Sequence, residues 1–305
     1  MNKVMRERLK DMEWLVRAYD DMRALYYKAW TNDEKLLRKW FKKKTGRALE
    51  LENPVYYNDK LQWLKLNWYD SDAGKCADKY GVREFVEDKI GPEYLNKLIA
   101  VYQAVEEIDI KVLPNKFVLK GTHGSGFNLI CRDKAKIDWM RARKEMRRWM
   151  RSKYYLQNRE WVYKDIRPRI ICEVFLEDSD GKPPMDYKVF CFNGEPKFVQ
   201  VDIDRFGQHK QNFYDTNWDV LDVEIWCDKD KDMLIERPKK FDEMLEISRK
   251  LSAQFPHVRV DLYNLGGKII FGELTFFHLS GMAKFRDVEF EGQMGAWLDL
   301  KVDRK

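Results

Sequence analysis

Val258-Arg-Val-Asp-Leu-Tyr263 and Lys268-Ile-Ile-Phe-Gly-Glu-Leu274, joined through Asn264-Leu-Gly-Gly267, decide how this chain is read. Both runs are rich in aliphatic and β-branched residues and flank a glycine pair, so they predict a hairpin. A three-residue loop, Leu265 to Gly267, makes Asp261 and Glu273 diagonal neighbours on one face and sets Arg259 opposite Glu273. Val258, Val260 and Leu262 then face a core. A two-residue loop instead puts the carboxylates on opposite faces. Two carboxylates and a guanidinium on one face admit two readings. One is a solvated face with an internal ion pair. The other is a divalent metal carrying a phosphate chain, since Mg²⁺ takes one or two carboxylates and fills its shell with phosphate oxygens and water.

The 305 residues suit one large or two to three small domains. Hydrophobic residues make up 44% and charged residues 35%, the balance of a soluble globular protein. No apolar run approaches a bilayer's thickness, and Met1-Asn-Lys-Val-Met-Arg-Glu-Arg8 lacks the apolar core of a signal peptide. Five widely spaced cysteines with no Cys-x-x-Cys pair argue against structural zinc and a disulfide framework, and point to the reducing cytosol. The net charge of +6 suits an anionic substrate such as a nucleotide or acidic sugar better than nucleic acid, which favours a clustered basic face. Two basic stretches, Lys35 to Arg47 and Arg141 to Arg151, have helical spacing. They read first as surface helices with an apolar stripe toward the core, and second as a patch for peripheral contact with a membrane or lipid-linked intermediate.

Helices are predicted at 3–30, 33–45, 57–69, 79–89 and 92–106, so residues 1–110 read as a mostly helical N-terminal part. Strands follow at 117–120 and 128–131, a helix at 134–153, then strands at 169–177, 187–193 and 197–203. Asn193-Gly194 marks a hairpin between the last two. A helix at 239–254 precedes the acidic hairpin. The fold class is α+β, divided as 1–110, 111–180 and 181–305.

Lys120-Gly-Thr-His-Gly-Ser-Gly126 joins two of these strands. Glycines let backbone N–H groups approach phosphate oxygens, and the lysine adds charge. The lysine precedes the loop, the reverse of a P-loop, which suggests a hairpin lid over phosphates. The strand from Arg169 to Glu177 carries Glu173 and Glu177, either acceptors for ribose hydroxyls or an ordinary exposed edge. Asp186 and Lys188 share a strand face, as an ion pair or as a lysine held beside a phosphate or carboxylate, and Arg205 and His209 add local positive charge. The four histidines lack metal-ligand spacing and no nucleophile elbow is present.

In this order the segments resemble the ATP-grasp superfamily, and within it the TupA-like branch associated with teichuronopeptide and bacterial surface-polysaccharide synthesis. Asn58-Asp-Lys-Leu-Gln-Trp-Leu-Lys65, Ala77-Asp-Lys-Tyr-Gly-Val-Arg83, Ile90-Gly-Pro-Glu-Tyr-Leu95, the lysine-glycine loop, Asp186-Tyr-Lys188, Arg259-Val-Asp261, Gly272-Glu-Leu-Thr-Phe276 and Ser280-Gly281 carry the resemblance, roughly over residues 50 to 285. It implies two α+β subdomains gripping ATP, with 111–180 as the lid and 181–305 as the metal-binding part. It implies that Lys120, Gly121, Gly124, Ser125, Gly126, Glu173, Glu177 and Lys79 bind the nucleotide, with Arg83 a further contact. Asp261 and Glu273 are the implied Mg²⁺ ligands, and Lys188, Arg259 and Arg205 the catalytic cations. Thr275 stands where the superfamily often has asparagine, which leaves the third metal ligand open. The implied activity is ATP-dependent carboxylate–amine ligation through an acylphosphate, joining an amino acid or amine to an acidic sugar. Alternatives are a hydroxyl-phosphorylating kinase of the same fold, a glycosyltransferase using Asp202-Ile-Asp204, and a non-enzymatic scaffold.

Overall fold

The computed structural model describes Met22, residues 32–178, 180–181, 183–203, 210–225, 228–230 and 233–301. The expected helix at 3–30 lies outside the described residues apart from Met22. Helix α1 (Asp33–Thr45) starts at Asn32, whose side chain accepts from Glu34 and Lys35 backbone N–H groups, and stops at Gly46 in the left-handed region. Helices α2 (Tyr57–Asn67), α3 (Ser71–Ala77) and α4 (Val82–Ile90) follow. The predicted helix at 92–106 is not formed: a single 3₁₀ turn, Pro92–Tyr94, leads into strand β1 (Leu98–Tyr102). A short apolar run reads equally as strand or helix, and here pairing with a neighbouring strand decides.

The first sheet has the order β1-β4-β2-β3, all antiparallel, with β2 (Phe117–Gly121), β3 (Asn128–Cys131) and β4 (Ile170–Val174). Helix α5 (Trp139–Arg151) turns Ala142, Met146 and Trp149 into a core with Phe117, Leu119 and Cys172. Arg143 donates to the Val105 and Ile108 carbonyls, and Arg147 pairs with Glu106. This basic stretch is thus a surface helix with its apolar stripe inward. A short helix, α6 (Tyr155–Asn158), follows.

That sheet has the order β10-β9-β5-β6-β7-β8, again antiparallel. Its strands are β5 (Asp186–Phe192), β6 (Glu195–Ile203), β7 (Lys210–Asp215), β8 (Val220–Leu221), β9 (His257–Leu265) and β10 (Lys268–Thr275). Asn193 and Gly194, both at positive φ, close the β5–β6 hairpin as their sequence predicts. Register places Leu274, Val260, Val189 and Val199 in one row across four strands. Helix α7 (Phe241–Ser252) covers this apolar face. The other face is polar at Asp186, Lys188 and Asp261 and aromatic at Phe190, Phe192 and Phe198, where Tyr57 of α2 and Phe290 of the terminal helix α8 (Val288–Trp297) pack.

The β9–β10 hairpin is built differently from expectation. Leu265 pairs with Lys268, so the loop is the two-residue Gly266-Gly267 turn. Left regular, it would point Asp261 and Glu273 to opposite faces. A bulge between Phe271 and Glu273 absorbs Gly272 and shifts the register by one. Asp261 therefore faces Glu273 directly, and Arg259 faces Thr275 rather than Glu273. A Cβ on residue 272 would lie 3.0 Å from the Asp261 carbonyl oxygen and 3.3 Å from the Tyr263 ring. We expect Gly272→Val to cost about 1–3 kcal/mol through this contact. Thermal unfolding followed by circular dichroism should show a clear drop in Tm, and an unchanged Tm would mean that the bulge has room for a side chain.

Candidate functional site

The polar face of the six-stranded sheet runs in rows fixed by register. One row reads Glu273, Asp261, Lys188, Gln200 and a second Asp186, Asp202, Gln211. At one end lies Arg259, which is 8% exposed. Its Nε donates to Asp261 Oδ1 and its Nη2 to Asp261 Oδ2, both at 2.6 Å, a two-pronged pair. Nη2 also reaches Thr275 Oγ1 at 3.1 Å and Glu273 Oε1 at 3.4 Å. Nη1 donates to His278 Nδ1 at 2.7 Å. Thr275 donates its hydroxyl to Glu273 Oε1 at 2.9 Å, so this residue links guanidinium to carboxylate. Counting in twos along β10 from Glu273 places Thr275 on the same face, a signal present in the sequence.

The lysine-glycine loop comes from the other sheet. Lys79, between α3 and α4, donates to the Gly124 carbonyl at 2.8 Å and stands 3.5 Å from Glu273 Oε2. One lysine thus spans loop and hairpin. Gly121 and Gly124 allow close packing: a Cβ would meet Phe127 at 2.9 Å from Gly121, and Phe127 and Tyr154 at 2.8 Å from Gly124. Gly126 has a positive φ, and Ser125, exposed at the tip, hydrogen-bonds Tyr154. Lys120 lies on β2 and donates to Glu173 Oε2 at 2.8 Å, while Arg83 reaches Glu173 Oε1 at 3.2 Å. Glu173, expected at the nucleotide's ribose, is the anion around which these two cations are gathered.

Lys188 sits between Asp186 and Asp202, 2.6 Å from Asp202 Oδ2. The same-face pair read from the sequence is present, with Asp202 as an added partner. Gln200 and Gln211 donate to Asp202 Oδ1, so Asp202 is committed to this network. Arg205 and His209 lie outside the described residues, as does Asp204 of the Asp-x-Asp pair. Glu177 is not gathered with the rest: it lies beyond β4 and pairs with Lys116, just before β2.

Behind Arg259 the chain makes a turn not foreseen from sequence. Leu279, Ser280 and Gly281 have φ of 48°, 58° and 55°. Consecutive left-handed residues cost roughly 1–2 kcal/mol each where a Cβ is present. Helix α2 offsets this with side chains: Gln62 donates to the Ser280 and Gly281 carbonyls at 2.8 and 2.7 Å, and Lys65 to the Ser280 carbonyl at 2.8 Å. Ser280 donates its hydroxyl to Glu160. Two motifs more than two hundred residues apart thereby meet. Burial lowers the Lys65 ammonium to about 8 and raises the Glu160 carboxyl, each opposed by the other's charge.

The acids respond differently to the hub. Burial raises the Asp261 carboxyl against the pull of Arg259. Burial also pushes the Glu273 carboxyl up, but Lys79, Arg259, Thr275 and Lys120 together carry it down to about 2. No three His, Cys, Asp or Glu side chains converge among the described residues. Asp261 and Glu273 face each other, and both Asp261 oxygens and Glu273 Oε2 keep a second lone pair beyond their contacts here, while Glu273 Oε1 is taken by Thr275 and Arg259. That donor set fits a hard cation taking two protein carboxylates and completing its shell with phosphate and water, and does not fit a structural zinc.

A family model described as TupA-like ATP-grasp matches residues 59–299. No curated protein matches the chain. Solved structures similar to it include the D-alanine–D-alanine ligase of Bacillus anthracis complexed with ATP, at 14% identity over 67% of this chain and 54% of that one, TM-score 0.39. The ATP-grasp ligase PsnB with a minimal precursor, Mg and ADP is 13% identical over 74% and 59%, TM-score 0.40. The D-alanine–D-alanine ligase of Helicobacter pylori is 12% identical over 81% and 68%, TM-score 0.40. The chain spans about half to two thirds of these structures' length. At such scores the likeness adds nothing to the family match.

Glu273 has a measurable signature. Its ionised form is favoured by the fold, with the carboxyl at about 2 against an ordinary 4.5. Its contribution to stability is therefore present above the higher value and fades as pH falls toward the lower. Glu273→Gln should unfold at lower urea than wild type near neutral pH, and the gap should narrow between about pH 5 and pH 3. A gap that stays constant across that range would remove the Glu273 charge from the account.

Proposed function

The chain belongs to the TupA-like ATP-grasp family, and from that premise we propose that it is an ATP-dependent carboxylate–amine ligase. The observation that carries this reading is the meeting of Lys79, the glycine loop, Glu273, Asp261 and Arg259 across the two sheets. Cations from both sheets and two facing carboxylates at a glycine hairpin suit a triphosphate and its metal. Phosphoryl transfer needs positioning and charge stabilisation more than a protein nucleophile. Here Lys120 and Lys79 would hold phosphate oxygens on the loop side, and Arg259 and Lys188 would stabilise the transferring group on the hairpin side. Asp261 and Glu273 would hold Mg²⁺, which supplies charge neutralisation on the phosphates.

A substrate carboxylate oxygen attacks the γ-phosphorus and ADP leaves. The amine then attacks the acyl carbon, phosphate departs, and the amine gives up a proton as the amide forms. The net basic charge favours an acidic acceptor, and a sugar acid of a surface polysaccharide joined to an amino acid or amine is the pairing proposed.

Mg·ATP, as a ligand of the folded state alone, should raise Tm, by an amount that grows with its concentration above Kd. Glu273→Gln and Asp261→Asn should abolish that rise while remaining folded, and ADP should accumulate when wild type is given uronate and amine mixtures. A rise with a UDP-sugar and none with Mg·ATP would overturn the ligase reading in favour of glycosyl transfer.

A further inference from the structure

Arg259 offers five N–H donors. Nε and one N–H of Nη2 are taken by Asp261, and the second N–H of Nη2 is shared between Thr275 and Glu273. One N–H of Nη1 goes to His278 Nδ1 at 2.7 Å. The second N–H of Nη1 has no partner among the described residues. The guanidinium is planar and rigid, so the contacts at Nε and Nη2 leave a hinge about that edge, and the imidazole at Nη1 is the contact that closes it.

Because a guanidinium only donates, His278 Nδ1 must present a lone pair, and the ring is the neutral tautomer protonated at Nε2. Nε2 is buried and has no partner among the described residues. The ring is 3% exposed and stands edge-on to Phe190, with centroids 4.9 Å apart. Burial, with Arg259 alongside, holds its pKa well below the ordinary value. Immediately after His278 the chain enters the left-handed run that Gln62 and Lys65 clamp from α2. The imidazole is therefore placed from the opposite side to Asp261, and the guanidinium is held at both ends.

We propose that His278 is a positioning residue that aims the last Nη1 N–H of Arg259 at the γ-phosphate, an inference that rests on the ligase reading above. Asp261 fixes the Nε edge of the guanidinium plane and His278 fixes the Nη1 corner. Loss of the imidazole acceptor frees that corner, and the effect falls on a nucleotide's third phosphate and not on the first two.

The test compares dissociation constants for Mg·AMPPNP and Mg·ADP in wild type, His278→Leu and His278→Asn. Asparagine keeps an acceptor at the Nδ1 position, and leucine keeps volume without one. His278→Leu should weaken Mg·AMPPNP by about 10- to 100-fold, the range for partners that orient a liganding group, with Mg·ADP nearly unchanged. His278→Asn should recover most of the loss. Equal weakening of both nucleotides would make His278 merely structural, and no weakening in the leucine variant would also overturn the proposal. ¹⁵N spectra of histidine-labelled wild type should show His278 as the neutral Nε2–H form, and an Nδ1–H signal would overturn the geometry without reference to nucleotide. Wild type that binds neither nucleotide, with that tautomer present, would instead bring down the ligase reading and this role with it.

Discussion

A buried guanidinium organises this molecule. Removing a charge from water costs several kcal/mol unless good geometry and further hydrogen bonds offset it. Arg259 meets that demand with partners from three places: Asp261 on its own strand, Thr275 and Glu273 on the neighbouring strand, and His278 on the segment beyond. Each partner is committed in turn. Thr275 donates to Glu273, Glu273 faces Lys79, and Lys79 holds the glycine loop. The charge balance of one strand is thereby transmitted to a loop on the other sheet.

The six-stranded sheet separates its two tasks by face. The side under α7 carries Val189, Val199, Val260 and Leu274, and the larger core extends to the other side through Phe190, Phe192 and Phe198. The other side carries Lys188, Asp186, Asp202, Gln200 and Gln211 in register with Asp261. Strands provide such a platform because successive residues alternate faces, so one backbone can be hydrophobic below and ionic above. Rigid strands also hold charged groups more closely in place than loops do.

Much of this was legible. Period-two reading placed Arg259 with Asp261 and Asp186 with Lys188, and Asn193-Gly194 fixed a hairpin. The ordered motifs gave the α+β ATP-grasp fold and the family. The hairpin loop is one residue shorter than the expected Leu265 to Gly267, and a bulge restores the shared face. Yet Gly272 inside a strand is itself a bulge signal. Strand β1 falls inside a predicted helix because Leu98 to Tyr102 is a short apolar run whose identity depends on a partner about seventy positions away. The pairing of Lys120 with Glu173 and the clamp of Gln62 and Lys65 on Ser280 are contacts between distant segments. No local periodicity encodes them.

The single extra residue in β10 also bears on how the hairpin forms. A Gly266-Gly267 turn nucleates a regular ladder as readily as a bulged one, and the regular ladder keeps more backbone hydrogen bonds. What separates the two is where Glu273 ends up. Without the bulge, its carboxylate and the Thr275 hydroxyl point into the aliphatic layer beneath α7, and Leu274 points among the charges. Burying an unpaired carboxylate in such a layer costs far more than the local irregularity of the bulge. The turn alone therefore leaves the register open, and the packing of α7 against the sheet makes the unbulged ladder untenable. The register of this hairpin is in effect selected by the charge it carries.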